Sequence, residues 1–151
     1  MMFTKSTRYA LYAALEMAAA PAGAQVTVAQ VARKYRIPEG PLAKVFQRLV
    51  RSGHAVGTRG LRGGYQLAKA ASVVTVLDVV SVFQPPRPPG QCLVADASGG
   101  GCDRSLSCRL RILFDEVDEV VRCTFASVTL ETLAGRGTVR VLDVLSARPV
   151  S

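Results

Sequence analysis

Residues 27–68 contain the pattern that restricts the fold most, because two short helices and a glycine-rich hairpin follow one another closely. Thr27 and Gln30 form a capping-box pattern at the start of the first helix, and residues 36–38 read as a turn. From about residue 39 to 52 the apolar residues have the i, i+3, i+4, i+7 spacing of one buried helical face. They are Leu42, Val45, Phe46 and Leu49. Two helices joined by a short turn predict a helix-turn-helix.

The predicted hairpin carries cations at its tip. Strands are expected at residues 55–58 and 65–68, and the residues between them include three glycines, which permit the backbone conformations of a tight turn. Arg59 and Arg62 lie in this turn. An ordinary glycine-rich hairpin would look the same in isolation. Its position directly after a basic helix-turn-helix favours a DNA-binding wing.

The basic charge is confined to one half of the chain. Residues 1–69 contain 11 Lys and Arg against 2 Asp and Glu, whereas residues 70–151 contain 8 against 9. This segregation predicts that one end of the molecule meets a polyanion, most simply double-stranded DNA. The outer face of the second helix carries Lys44, Gln47, Arg48 and Arg51. We expect Lys44 and Gln47 to reach base edges and Arg48 and Arg51 to contact phosphates, although any one of them alone is equally well a solvated surface residue.

Four cysteines occur, and none lies in the first 91 residues. Cys92 and Cys102 fall in residues 84–105, a stretch with four prolines and four glycines, and Cys108 follows shortly after. Long loops of this kind tend to be functional or disordered, and clustered cysteines outside an oxidising compartment indicate a metal, a cluster or redox chemistry. Cys123 is interpreted as a buried interface thiol, and the single histidine, His54, as structural.

A long helix is predicted from about residue 105 to 126, with apolar residues along one face and charged residues along the other. The apolar face consists of Leu106, Leu110, Leu113, Phe114, Val117, Val120, Val121 and Thr124. A small domain cannot bury so long a stripe alone. We therefore expect a homodimer in which a second copy supplies an antiparallel partner helix.

Together these elements predict a mainly α fold, a winged helix-turn-helix with a small β-hairpin wing and a long C-terminal dimerisation helix. The expected divisions are residues 1–83 for the DNA-binding domain, 84–105 for a cysteine-bearing sensor loop, 106–134 for the dimerisation helix with a short following helix, and 135–151 for a tail. The first helix is expected from residue 6, capped by Ser6, with Leu11 and Leu15 on its apolar face.

No membrane span and no secretory signal are evident, so we expect a cytoplasmic protein. An enzyme is not expected, because no nucleophile–base pair or phosphate-binding loop is found.

Several segments resemble a known family of winged-helix regulators, the iron–sulfur and nitric-oxide sensors of the IscR, NsrR and RirA type (the Rrf-two family). Residues 4–11 are similar to its first helix, residues 58–68 to its Arg-Gly-x-x-Gly-Gly-Tyr-x-Leu wing, and residues 125–130 to the end of its dimerisation helix. The resemblance covers about residues 2–134. It implies a dimer that binds operator DNA, with a 2Fe–2S or 4Fe–4S cluster held by Cys92, Cys102 and Cys108.

The sequence departs from this family pattern in three places. Cys92 and Cys102 are separated by nine residues instead of five. The positions that supply a fourth, non-cysteine ligand in two branches of the family hold Arg8 and Arg111, which cannot ligate iron. A Glu and a Gln that read bases are replaced by Ala43 and Lys44, so a different operator is expected.

The resulting hypothesis is a transcriptional regulator, a repressor, that senses iron–sulfur status, redox conditions or nitric oxide through the cluster. One alternative keeps the DNA-binding regulator but replaces the cluster with thiol oxidation or zinc. A second alternative, a small iron–sulfur electron carrier, has no use for a basic helix-turn-helix and wing.

Overall fold

Six α-helices and a two-stranded antiparallel sheet make up the part of the chain described by the computed structural model, which covers residues 3–61, 63–85 and 108–135. In chain order they are α1 (Lys5–Ala19), α2 (Val28–Tyr35), α3 (Glu39–Arg51), β1 (Ala55–Thr58), β2 (Gly64–Leu67), α4 (Val76–Phe83), α5 (Arg109–Ser127) and α6 (Leu130–Ala134). This is the order of a winged helix-turn-helix followed by a long helix, and the predicted fold class is confirmed. None of the helices in these ranges is long and apolar enough to cross a membrane.

Threonine side chains begin the first, second and fourth helices. Thr27 forms the predicted capping box with Gln30: Gln30 N donates to Thr27 Oγ1 at 3.2 Å, and Thr27 N donates to Gln30 Oε1 at 2.8 Å. A second capping box, between Thr75 and Asp78, begins α4. The prediction for α1 was wrong, because Thr4 and not Ser6 caps that helix by accepting a hydrogen bond from Thr7 N. Either residue type can cap a helix, so the sequence alone did not decide between them.

The core forms between α1 and α3, and α1 enters it with small side chains. The buried residues of α1 are Thr7, Ala10, Ala13, Ala14 and Met17. The expected apolar face was misplaced, since Leu11 and Leu15 are only half-buried. Alanines allow helix backbones to approach closely, which accommodates the larger residues of α3. The predicted core face of α3 is confirmed, because Leu42, Val45, Phe46 and Leu49 are all buried.

The wing is held against the start of the helix-turn-helix. β1 and β2 pair from Ala55 opposite Leu67 to Thr58 opposite Gly64. Val26, just before α2, extends this sheet by exchanging two 2.8 Å backbone hydrogen bonds with Tyr65. The Tyr65 ring also lies 4.6 Å from the ring of Phe46 in α3. The base of the wing is therefore fixed to both helices of the helix-turn-helix.

The long helix α5 projects from the body and is anchored at its C-terminal end. It begins at Arg109, four residues later than expected, and Cys108 is its N-cap residue. No residue of α5 is buried. Directly after it, Val128 and Leu130 enter the core, and Val128 O accepts a 2.9 Å hydrogen bond from Val76 N. The short helix that ends at Gly135 is present as predicted.

The expected division into four regions stays a prediction. Most of the proposed sensor loop, including Cys92 and Cys102, lies outside the described residues, and so does the tail beyond Gly135. Residues 128–134 pack with α1 and α4. The C-terminal end of α5 is thus joined directly to the winged helix.

Candidate nucleic-acid interface

The outer face of α3 is exposed along its whole length. Lys44, Gln47, Arg48 and Arg51 all lie on this face, opposite the buried residues of the same helix. No acidic residue occurs between positions 40 and 77 of the chain. The only carboxylate of α3 is Glu39 at its first position, so the cations outnumber it and the net charge of this helix is positive.

A groove of about 610 Å³ separates α3 from the wing. On one side lie Gln47, Val50 and Arg51, and on the other lie Thr58 and Arg59. The structure thus brings together three of the predicted contact residues, Gln47, Arg51 and Arg59. Arg62 lies outside the described residues. A groove with cations on both walls is suited to a polyanionic strand.

Arg48 is turned toward α4. Its Nη2 donates a 2.5 Å hydrogen bond to the carbonyl oxygen of Val82, and its guanidinium carbon lies 4.9 Å from the centroid of the Phe83 ring. Both contacts hold the C-terminal end of α4 against α3. The expected phosphate contact of Arg48 stays a prediction, and it would compete with these two contacts inside the protein.

Sequence reasoning missed Thr58 and Leu61. Thr58 places a hydroxyl-bearing side chain in the groove wall, and Leu61 stands fully exposed at the wing tip. Both residues are uncharged, and the prediction of contact residues considered mainly the cations. Strand β1 is only four residues long, so its alternation in the sequence does not show which side chains at its end face α3.

A polar cluster fixes α2 to α1. Glu16 Oε1 accepts 2.6 Å hydrogen bonds from Lys34 Nζ and Tyr35 Oη, and the rings of Tyr12 and Tyr35 lie 4.3 Å apart. Burial alone would raise the pKa of Glu16, but the hydrogen bonds from Lys34 and Tyr35 outweigh burial and lower it. Burial and the hydrogen bond to Glu16 raise the pKa of Tyr35 to about 12. The first helix of the helix-turn-helix is thereby held in place on α1.

Of the three cysteines predicted as ligands, only Cys108 lies within the described residues. It is half-buried at the N-terminal end of α5, where the helix dipole favours negative charge. The side chain of Arg111, one turn on, is 14% exposed and lies 3.4 Å from Asp115 Oδ2. Within residues 3–61, 63–85 and 108–135 no three His, Cys, Asp or Glu residues are grouped to hold a metal ion.

Cys123 lies on α5, and His54 lies between α3 and β1. Cys123 is exposed on α5, and its Sγ donates to Glu119 Oε1 at 3.4 Å. Fifteen residues of helix separate it from Cys108, or about 22 Å. His54 Nδ1 lies 3.0 Å from Ser52 Oγ at the junction of α3 and β1, and its structural role stays a prediction.

Apolar surface is concentrated on α5 and beside its base. Six large apolar residues of α5 are at least 45% exposed. They are Leu110, Ile112, Leu113, Phe114, Val117 and Val120. A groove of about 370 Å³ adjoins the base of α5 and is lined by Leu11, Leu15, Val76, Phe125 and Leu133 among others. Patches of this kind mark interaction sites.

A helix-turn-helix with a basic recognition helix, a wing across a cationic groove and a long exposed helix define a winged-helix DNA-binding regulator. Residues 3–136 match the model of the Rrf2 family, described as an iron-dependent transcriptional regulator. The chain belongs to the Rrf2 family, and the resemblance noted in the sequence is confirmed. It is therefore a DNA-binding transcriptional regulator and not an enzyme.

Individual relatives agree with this membership. BadM of Rhodopseudomonas palustris, described as a putative HTH-type transcriptional regulator, is 37% identical over 133 residues, which is 88% of this chain and 81% of BadM. CymR, the global cysteine regulator of B. subtilis, has a similar structure, with a TM-score of 0.71 and 22% identity, covering 89% of this chain and 96% of CymR. IscR of T. potens gives a TM-score of 0.66 at 17% identity, covering 100% of this chain and 93% of IscR. At these identities the two structures support the fold alone.

Proposed function

We propose that this regulator binds operator DNA with α3 in the major groove and the wing on the adjacent backbone and minor groove. The observation that carries the proposal is the cationic groove between α3 and the wing, in which Gln47 and Arg51 on one wall face Arg59 on the other. A regulator that binds operator DNA acts where that DNA is, so we expect this protein in the cytoplasm. Repression follows when the bound protein occludes a promoter.

The contact residues divide into two roles. Lys44 and Gln47 extend from the exposed face of α3 and reach base edges, so they contribute specificity. Arg51 and Arg59 line the groove and contact phosphates, so they contribute affinity on any sequence. Arg62 belongs with the second group. Arg48 contributes indirectly, because it holds α3 against the end of α4.

The regulator acts as a homodimer through α5. An isolated chain would leave the apolar residues of α5 in water, at a cost that a second copy removes by burying them. The groove at the base of α5 continues this apolar surface onto α1 and α4. Two-fold pairing of α5 also presents two recognition helices to two DNA half-sites, as operator symmetry requires.

The proposed signal is read by an iron–sulfur cluster on Cys92, Cys102 and Cys108. The family's description as iron-dependent supports an iron site, and three thiolates are the soft donors that such clusters require. Cys108 fits the role, because it is half-buried at the N-terminal end of α5. A cluster with one non-cysteine or open position would be labile toward oxidants or nitric oxide, which suits a sensor. Through Cys108 its state would bear directly on the dimerisation helix.

A cluster-free sensor is the second candidate, in which the same thiols are oxidised or bind zinc. The nine-residue separation of Cys92 and Cys102 favours it, and so does the presence of Arg8 and Arg111 where a fourth ligand would stand. An electron carrier is disfavoured, since the basic groove would have no role in one.

Anaerobic purification with iron and sulfide analysis distinguishes these candidates. The cluster proposal predicts a brown protein with stoichiometric iron and sulfide. It also predicts that Cys92→Ala, Cys102→Ala and Cys108→Ala each lose the iron, whereas the matched control Cys123→Ala keeps it. Full iron retention in all three variants contradicts the ligand assignment. A colourless wild-type protein whose operator binding still responds to peroxide or zinc supports the second candidate.

A further inference from the structure

The tip of the wing presents a leucine to solvent. Leu61 is fully exposed, and no described residue covers it. Arg59, two residues earlier, and Gly63, two residues later, both line the cationic groove, so Leu61 lies at the turn of the hairpin beside that groove. Single exposed leucines are common on protein surfaces, so the position of this one, and not its exposure, is informative.

The backbone holds Leu61 in place at the tip. Gly63 N donates a 2.9 Å hydrogen bond to Gly60 O, which closes a tight turn with Leu61 at its first corner. Gly60 has a φ of 114°, which favours glycine, and a Cβ on Gly63 would overlap the carbonyl oxygen of Thr58. The turn is therefore specified by its glycines. Its corner residue, Leu61, is fully exposed to solvent.

The wing tip reaches the minor groove if the protein binds DNA as proposed above. With α3 in the major groove, the gap between α3 and the wing holds one phosphodiester strand. A single backbone strand separates the major from the minor groove of duplex DNA. A side chain beyond that strand therefore enters the minor groove, where proteins use apolar residues against the sugars and base edges.

We propose that Leu61 is an apolar minor-groove contact that packs against the deoxyribose walls of the operator beside Arg59. Its contribution differs in kind from that of the cations. Burial of an apolar side chain releases no counterions, so it adds affinity without adding to the salt dependence. Arg59 adds affinity by contacting a phosphate, so its contribution adds to the salt dependence.

The test compares Leu61→Ala with Arg59→Ala on one probe, a fluorescein-labelled duplex selected by the wild-type protein from a random-sequence pool. Leu61→Ala is expected to bind about tenfold more weakly, as when roughly half of the area that distinguishes leucine from alanine is buried. Its slope of log affinity against log salt should equal the wild-type slope. Arg59→Ala should lower that slope by about one unit. Leu61→Met, which keeps the apolar volume, should bind within about twofold of wild type.

Folding does not complicate this comparison, because Leu61 makes no packing contact that alanine would remove. Wild-type affinity in Leu61→Ala overturns the inference, and so does a loss of affinity that comes with a smaller salt slope. If Arg59→Ala behaves as expected while Leu61→Ala does not, the inference alone fails. If the wild-type protein selects no duplex, the proposed function fails and takes the inference with it.

Discussion

Replacement of Gly64 by alanine should disrupt the packing of strand β2 of the wing against Gln25 and Val26. A Cβ at this position would lie 2.9 Å from Gln25 Cβ and 2.9 Å from Val26 O, closer than such atoms approach in proteins. Both atoms belong to the segment that pairs with β2, and neither is the end of a flexible side chain. The substitution must therefore push β2 away from Val26.

The cost follows from the contacts that join β2 to the body. Two 2.8 Å backbone hydrogen bonds between Val26 and Tyr65 contribute roughly 0.5–1.5 kcal/mol each. The ring contact between Tyr65 and Phe46 adds about 0.5–1.5 kcal/mol. Alanine recovers a few tenths of a kcal/mol by restricting the unfolded chain. Gly64→Ala should lower the free energy of unfolding by about 2–3 kcal/mol.

Urea unfolding followed by circular dichroism, at one fixed protein concentration, measures this loss. Gly40→Ala is the matched control, because Gly40 lies in the first turn of α3 and a Cβ added there would meet no other element of the protein within 4 Å. Alanine there should change the free energy of unfolding by less than about 1 kcal/mol, because its higher helix propensity is opposed by crowding against the ring of Pro41. If Gly64→Ala unfolds at the wild-type urea midpoint, the wing is not held through Val26 and the account of its rigidity is refuted.

Three further substitutions test other contacts. Glu16→Gln should lower the free energy of unfolding by about 1 kcal/mol at neutral pH. Because the folded pKa of Glu16 is lowered, the stability that its carboxylate adds is present above pH 4.5 and is lost as the pH falls below that value. Urea unfolding curves of the wild type and of Glu16→Gln should therefore converge at low pH. Val117→Asp should shift the protein from dimer to monomer in sedimentation and weaken operator binding, and an unchanged dimer would contradict the α5 interface. Arg48→Met removes the hydrogen bond to Val82 and the cation over Phe83, so it should lower the free energy of unfolding by about 1–2 kcal/mol in urea melts, and a wild-type midpoint would refute those contacts.

Local signals predicted most of the fold. Capping boxes at Thr27 and Thr75 and the spacing of the α3 core residues depend on neighbours within two helical turns, so the sequence displays them directly. The α1 face was misplaced because its core residues are alanines. Alanine is tolerated on either face of a helix, so the larger Leu11 and Leu15 dominated the pattern.

Contacts between distant parts of the chain were not predictable in this way. The pairing of Val26 with Tyr65 and the contact of Arg48 with Val82 join residues 39 and 34 positions apart. Composition gives no indication of either partner. The cysteine spacing was visible, but its geometry depends on residues 86–107, which lie outside the described residues. The DNA-binding half of the candidate site is consequently the better defined half.

Salt-dependent binding of Gln47→Ala and Arg51→Ala tests the central claim most directly, because both residues line the same groove yet have different proposed roles. Each variant is measured on the selected operator and on a random duplex. Arg51→Ala should weaken binding to both duplexes alike and lower the salt slope by about one unit. Gln47→Ala should weaken operator binding by about 1–3 kcal/mol while leaving random-duplex binding and the slope unchanged. Wild-type affinities and slopes in both variants would show that the groove between α3 and the wing does not bind DNA.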